Sequence, residues 1–172
     1  IKKNKNQKIL INIGSLNDQK NQIDILKALK ILKLKQCKYK MYFIGDGKNY
    51  YKLRNFVNIN KLEHVHFLGN QINPYKFLNN SDIFILSSKW EGTPNVLMES
   101  ECLKIPIISS DCKTGPKELK NHGFNIELYR SGNYDELANK IINFKTKIVK
   151  NNNSALKSFN KTNSKNLNKL FI

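Results

Sequence analysis

Short continuous apolar runs alternate along the chain with longer segments in which apolar residues return every three or four positions. The first run, Ile9-Leu10-Ile11-Asn12-Ile13-Gly14, is rich in β-branched residues and closes on glycine, which predicts a buried strand feeding a turn. Ile25, Leu29 and Leu32 then fall at i, i+4 and i+7 with Leu26 beside them, the stripe of a helix lying on a sheet. Asp18 or Asn21 stands where an N-cap is expected. Residues 40–45 predict a second strand, Asp46-Gly47 a turn, and Tyr50, Leu53 and Val57 a second helix. A third strand over 65–68 ends at Gly69, and a short helix follows over 74–78. Residues 82–86 are continuously apolar after Asp82, as in a parallel strand covered on both faces. A helix is expected from Thr93-Pro94 to about residue 103, with proline in the first turn, where no N–H is lost. Strands over 105–109 and 125–128, a short helix over 116–120 and a last helix over 133–147 carrying Leu137, Ile141 and Phe144 complete the series.

Strand and helix alternate throughout, which predicts an α/β fold: a Rossmann-like, open, mostly parallel sheet with helices on both faces. Ligands in such sheets sit at the carboxyl ends of the strands. This domain is expected over residues 1–150. Residues 151–172 are polar and rich in Lys and Asn, with only Leu156, Phe159, Leu167 and Leu170 between, which predicts a weakly amphipathic helix or a tail.

At 172 residues the chain is one domain's worth, and no window approaches the apolar length of a membrane span. The net charge of +17 first suggests a nucleic-acid or anionic-membrane binder. Its distribution argues against nucleic acid. Lys residues collect in positions 1–8 and 140–172, where there is no Asp or Glu, and only Arg54 and Arg130 offer the bidentate fork that base readers favour. Peripheral contact with anionic lipid fits the same lysines better. Cys37, Cys102 and Cys112 are an odd set without a CxxC, so no disulfide framework or zinc knuckle is predicted, and a reducing cytoplasm is expected. The chain opens at Ile1 with neither Met nor a signal-peptide pattern, which reads as a piece of a longer protein.

Glycines and polar residues gather where the strands end: Gly14-Ser15-Leu16, Gly45-Asp46-Gly47, Gly69-Asn70, Ser87-Ser88 and Ser109-Ser110-Asp111. The segment Ser88-Lys-Trp-Glu-Gly-Thr-Pro-Asn-Val-Leu-Met-Glu99 turns into a helix, and the N–H groups of Thr93, Asn95 and Val96 at its start suit a phosphate. Glu91 stands just before that helix and Glu99 inside it. Two Glu eight apart are weak by themselves; here they flank Gly-Thr-Pro-Asn at a strand-to-helix junction, and the run continues through Cys102-Leu-Lys-Ile-Pro to Thr114-Gly-Pro-Lys-Glu118.

From about residue 9 to 144, and most specifically from Trp90 to Glu118, the chain resembles the donor-binding domain of family 4 retaining glycosyltransferases, GT-B enzymes with two Rossmann-like domains. The resemblance implies a nucleotide-sugar donor. Glu91 would meet hydroxyls of the transferred sugar near the reacting carbon, and Glu99 would hold the ribose hydroxyls. Backbone N–H groups from Gly92 through Thr93, Pro94 and Asn95 to Val96 border the sugar and diphosphate, proline offering none. Gly14 and Ser15 lie at the first turn, and the loop after Gly69 is the candidate base contact. Of the family's Arg and Lys after the first strand, Lys20 matches and the Arg position is Ser15, which leaves less fixed charge for the diphosphate. Cationic side chains and a helix end can stabilise the leaving phosphate, so neither metal nor other cofactor is expected. The acceptor, a saccharide or lipid-linked saccharide, would belong to an N-terminal domain absent from this chain, and the fragment alone would transfer poorly.

The pattern favours UDP-linked hexose or N-acetylhexosamine, destined for a bacterial surface polysaccharide, lipopolysaccharide or glycolipid, with GDP-mannose as the alternative. A dinucleotide-binding oxidoreductase predicts GxGxxG in the first turn, which Gly14-Ser-Leu-Asn-Asp-Gln lacks. A basic module without enzymatic activity predicts salt-sensitive binding with no nucleotide preference. Glu118 and Asp111 are expected as local caps or braces, Asp46 as turn chemistry, His64 and His66 as packing or surface residues, and His122 as exposed. Trp90 is expected either to line a sugar pocket or to pack beneath its loop.

Overall fold

A computed structural model describes residues 7–92 and 94–144. The predicted tail over 151–172 lies outside the described residues, as does Thr93. Six strands form one parallel sheet: β1 (Lys8–Ile13), β2 (Tyr39–Ile44), β3 (Val65–Phe67), β4 (Ile83–Leu86), β5 (Ile107–Ser110) and β6 (Ile126–Tyr129). Between them run α1 (Gln22–Leu34), α2 (Tyr50–Ile59), α3 (Tyr75–Leu78), α4 (Asn95–Cys102) and α5 (Pro116–Asn121), and α6 (Tyr134–Asn143) follows β6. The strand order is β3-β2-β1-β4-β5-β6.

The continuous apolar runs are the central strands, and their residues divide between two layers with the pleat's period of two. Leu10, Ile83 and Ile85 enter a cluster with Leu26 and Leu29 of α1 and Leu137 and Ile141 of α6. Ile11, Phe84 and Leu86 enter a second cluster with Leu78 of α3, Leu97 and Met98 of α4 and Leu119 of α5. All four residues of β4 are buried because both faces are covered, whereas edge strand β3 buries only Val65. Lys8 closes the α6 end by donating to the carbonyls of Ile141 (2.5 Å), Ile142 (3.0 Å) and Phe144 (3.2 Å), a cation placed on the negative end of a helix.

Two local expectations need correction. Asn21 occupies the N-cap position of α1 but in the left-handed conformation (φ 49°, ψ 41°), not the extended one from which a side chain accepts a helix N–H. Its amide instead donates to Asp24 Oδ2 at 2.5 Å, and Asp18 faces Lys48 (3.1 Å) and Asn49 (2.9 Å). The last helix stops at Asn143, because the backbone turns extended at Phe144. His66 stacks on Tyr42 and His64 sits edge-on to Tyr39, so both pack against aromatics, while His122 is exposed.

Candidate active site

The sheet reverses its direction of growth between β1 and β4. The helix after β1 packs in one layer and the helix after β4 in the other, so their leading loops part and leave a crevice at the carboxyl ends. Hydrogen bonds tie the two loops together across it. Ser87 Oγ donates to the Lys20 carbonyl (2.8 Å), Lys89 N–H to the Gln19 carbonyl (2.8 Å), and the Gln19 amide to the Trp90 carbonyl (3.1 Å).

Glu91 lies within this frame with 8% of its surface exposed. Its Oε1 accepts from Lys20 Nζ at 2.7 Å and from Ser88 Oγ at 2.5 Å, and its carbonyl accepts from Thr114 Oγ1. Burying a carboxylate is costly without a partner, and Lys20 supplies the opposite charge. An ammonium carries three hydrogens, so the bond to Glu91 leaves others for a further acceptor. The stem of Lys20 passes over Gly14, and its N–H donates to Asn17 Oδ1 (2.9 Å).

Behind Glu91, Ser110 Oγ donates to the Ser88 carbonyl at 2.7 Å, so the ends of β4 and β5 are locked together. The loop after β5 comes closer still. Gly115 has φ +85°, and a Cβ there would meet the Gly92 carbonyl oxygen and lie 2.7 Å from Pro94 Cδ, so only glycine fits. Pro94 is the N-cap of α4, and the N–H groups of Asn95 and Val96 belong to its first turn, where a helix has no acceptor of its own. Gly92 and Gly69 border open space, and Ser15 is exposed at the first turn, its carbonyl accepting from Gln22 at 2.9 Å.

Glu99 is on α4, where its Oε1 accepts from the Tyr75 hydroxyl of α3 at 3.1 Å. Burial pushes its carboxyl above the usual range, and the Tyr75 hydrogen bond pulls it partly back. Glu91 and Glu99 therefore differ: one is paired with a cation, the other with a neutral donor.

The local readings of Asp46 and Asp111 hold: Asp46 Oδ1 accepts from the next N–H, that of Gly47 (2.7 Å), and Asp111 Oδ1 accepts from Ser131 N–H (2.7 Å). Trp90 is 54% exposed on the rim and not packed beneath its loop. Sequence reasoning missed Tyr75, Thr114 and Gln19, which no periodicity singles out; Ser88 and Ser110 carried a signal only as polar ends of strands. Among the described residues no group of three or more His, Cys, Asp or Glu is placed to hold a metal, and no helix is long and apolar enough to cross a membrane. Two cavities of about 650 and 480 Å³ lie elsewhere, one lined by Ile126 and Lys140 and the other by Tyr39 and His64.

An uncharacterized glycosyltransferase of Methanocaldococcus jannaschii is 43% identical over 112 residues, 64% of this chain and 28% of that one. The lipopolysaccharide 1,6-galactosyltransferase of Salmonella typhimurium is 32% identical over 117 residues, 63% of this chain and 33% of that one. The chain thus spans about a third of the length of these curated relatives. Among solved structures, Anabaena HepE in complex with UDP and glucose superposes with a TM-score of 0.75 at 24% identity, over 91% of this chain and 44% of that one, and shows the same fold. The family model described as glycosyl transferases group 1 matches residues 1–163, and with nearly the whole chain inside that match, the protein belongs to the glycosyl transferases group 1 family.

Proposed function

We propose that this chain is the C-terminal, donor-binding half of a family 4 retaining glycosyltransferase, with the nucleotide-sugar site in residues 1–150 and the acceptor site in an N-terminal domain outside it. The observation that carries the reading is the placement of Glu91, buried and paired with Lys20 at the switch point, at the end of the β4 loop that leads into the helix bearing Glu99.

Breaking a sugar–diphosphate bond leaves positive charge on the sugar and adds negative charge to the phosphate. Fixed donors aimed at that phosphate are then the largest catalytic contribution. Lys20 and the first turn of α4 supply them, and Lys20 also anchors Glu91, which faces the sugar. A metal is not needed where an ammonium and a helix end share the charge. Glu99 takes the ribose hydroxyls, and the open space over Gly69 admits the base.

The UDP in the HepE complex and the name of the Salmonella relative support a UDP-hexose or UDP-N-acetylhexosamine donor and an acceptor in lipopolysaccharide, another bacterial surface polysaccharide or a glycolipid. The working place is the cytoplasm, with the lysines available for anionic lipid at the inner membrane face.

Titration of the isotope-labelled chain with UDP, GDP and NAD, followed by NMR, tests the reading. Saturable shifts for UDP, lost in Glu99→Ala, are expected. Preference for GDP would favour a mannosyl donor. Equal binding of all three, abolished by salt, would overturn the reading in favour of a basic module.

A further inference from the structure

We propose that Tyr75 is the positioning residue for Glu99: its hydroxyl holds one carboxylate oxygen so that the carboxylate is presented, ionised and fixed, to the ribose of the donor. The role at the ribose rests on the function proposed above, whereas the coupling of the two side chains does not.

The hydroxyl of Tyr75 lies 3.1 Å from Glu99 Oε1, and among the described residues no other hydrogen bond or ion pair reaches the Glu99 side chain. Glu91 has both a lysine and a serine. Glu99 is partly buried with no cation at hand, so the phenol is the group that favours its charged form. A glutamate side chain is also long and loses rotamer freedom when it binds; tying one oxygen in advance removes part of that cost from ligand binding. The second oxygen remains for a hydroxyl, and Oε1 keeps a further lone pair.

Tyr75 is itself well held. Its N–H donates to Asn73 Oδ1 at 3.1 Å, Pro74 sets the backbone before it, and Leu78, three residues on, is fully buried in the second cluster. This accounts for Asn73-Pro74-Tyr75, a segment that the phosphate and sugar contacts leave unused. The pairing links the short helix after β3 to the helix after β4, so a side-chain hydrogen bond joins the segment that follows Gly69 to the residue facing the ribose.

The test uses the 172-residue chain and Tyr75→Phe, which keeps the ring and removes only the hydroxyl. The first readout is the pH midpoint of the Glu99 carboxyl, followed by carbon NMR without ligand. The second is affinity for UDP and for 2′-deoxy-UDP. The midpoint is expected to rise in Tyr75→Phe. UDP affinity is expected to fall by roughly three- to tenfold, the scale of one hydrogen bond's usual net contribution, with a smaller loss for the 2′-deoxy compound. An unmoved midpoint, or equal losses for both nucleotides, would overturn the positioning role even if Glu99→Ala abolishes binding. A midpoint that rises in a chain whose wild type ignores UDP would instead bring down the donor-binding reading, and the ribose role with it.

Discussion

Lys20 Nζ stands 2.7 Å from Glu91 Oε1, a contact across 71 residues of sequence that joins the loop after β1 to the loop after β4. The carboxylate side chain is 6% exposed and the lysine 21%, so the pair is shielded from water on the acidic side. Lys20→Ala should leave a buried carboxylate held only by Ser88 and destabilise the domain by about 1–3 kcal/mol, less than for a fully buried pair because the lysine reaches solvent. Glu91→Gln, which keeps the shape, should cost less. In the double-mutant cycle read by thermal unfolding, the two losses should be non-additive by about 1 kcal/mol; simple additivity would show that the pair is uncoupled.

Ser15 stands where the resemblance places an arginine, and it is exposed at the first turn. Ser15→Arg should therefore fold normally and tighten UDP binding by several-fold, with the gain shrinking at high salt because the added charge is open to solvent. Unchanged affinity at low salt would mean that the diphosphate does not lie beside this turn.

Gly115→Ala should damage both stability and binding. Its φ of +85° strains any side chain, and the new methyl would strike the Gly92 carbonyl and Pro94 at the start of α4. A loss of about 2 kcal/mol or more is expected, a fall of roughly 4–8 °C in Tm for a domain of this size. Weaker UDP binding should accompany it, since the displaced atoms border the proposed donor site. A variant with wild-type Tm would contradict the close approach.

Glu101 gives stability a pH dependence of predictable sign. It is 4% exposed, its Oε2 accepts from Asn125 N–H at 3.3 Å, and burial raises its carboxyl above the ordinary 4.5. The folded chain therefore holds this proton at a pH where the unfolded chain has released it. The contribution favours folding below 4.5 and is lost as pH rises through the interval up to the raised value. Glu101→Gln, which keeps the accepting oxygen, should be more stable than wild type at neutral pH and nearly equal to it below pH 4, as read by denaturation across that range. Equal stability at neutral pH would show that burial does not penalise the charge.

Much of this site was legible as residue types in order. Glu91, Glu99 and the Gly-Thr-Pro-Asn between them lie on one short segment, and the residues around the two Glu, rather than their spacing, locate them at a strand-to-helix junction. Lys20 was placed only through the resemblance, because nothing local distinguishes one lysine among 28. Tyr75 was not legible: it meets Glu99 across 24 residues and a strand, at a separation no helical or strand period describes. The N-cap of α1 was misjudged because residue preference at a cap presumes an extended backbone, and Asn21 adopts the left-handed conformation that asparagine tolerates.

The sequence by itself determined the alternation of strand and helix and the burial of the central strands on both faces. Those properties arise from local periodicity and from where apolar side chains must hide from water. Only the tertiary structure decided the order β3-β2-β1-β4-β5-β6, and with it the meeting of Lys20 with Glu91 and of Tyr75 with Glu99. Which strands become neighbours depends on how the crossovers close over the sheet, a property of the packed whole that no stretch of residues carries alone.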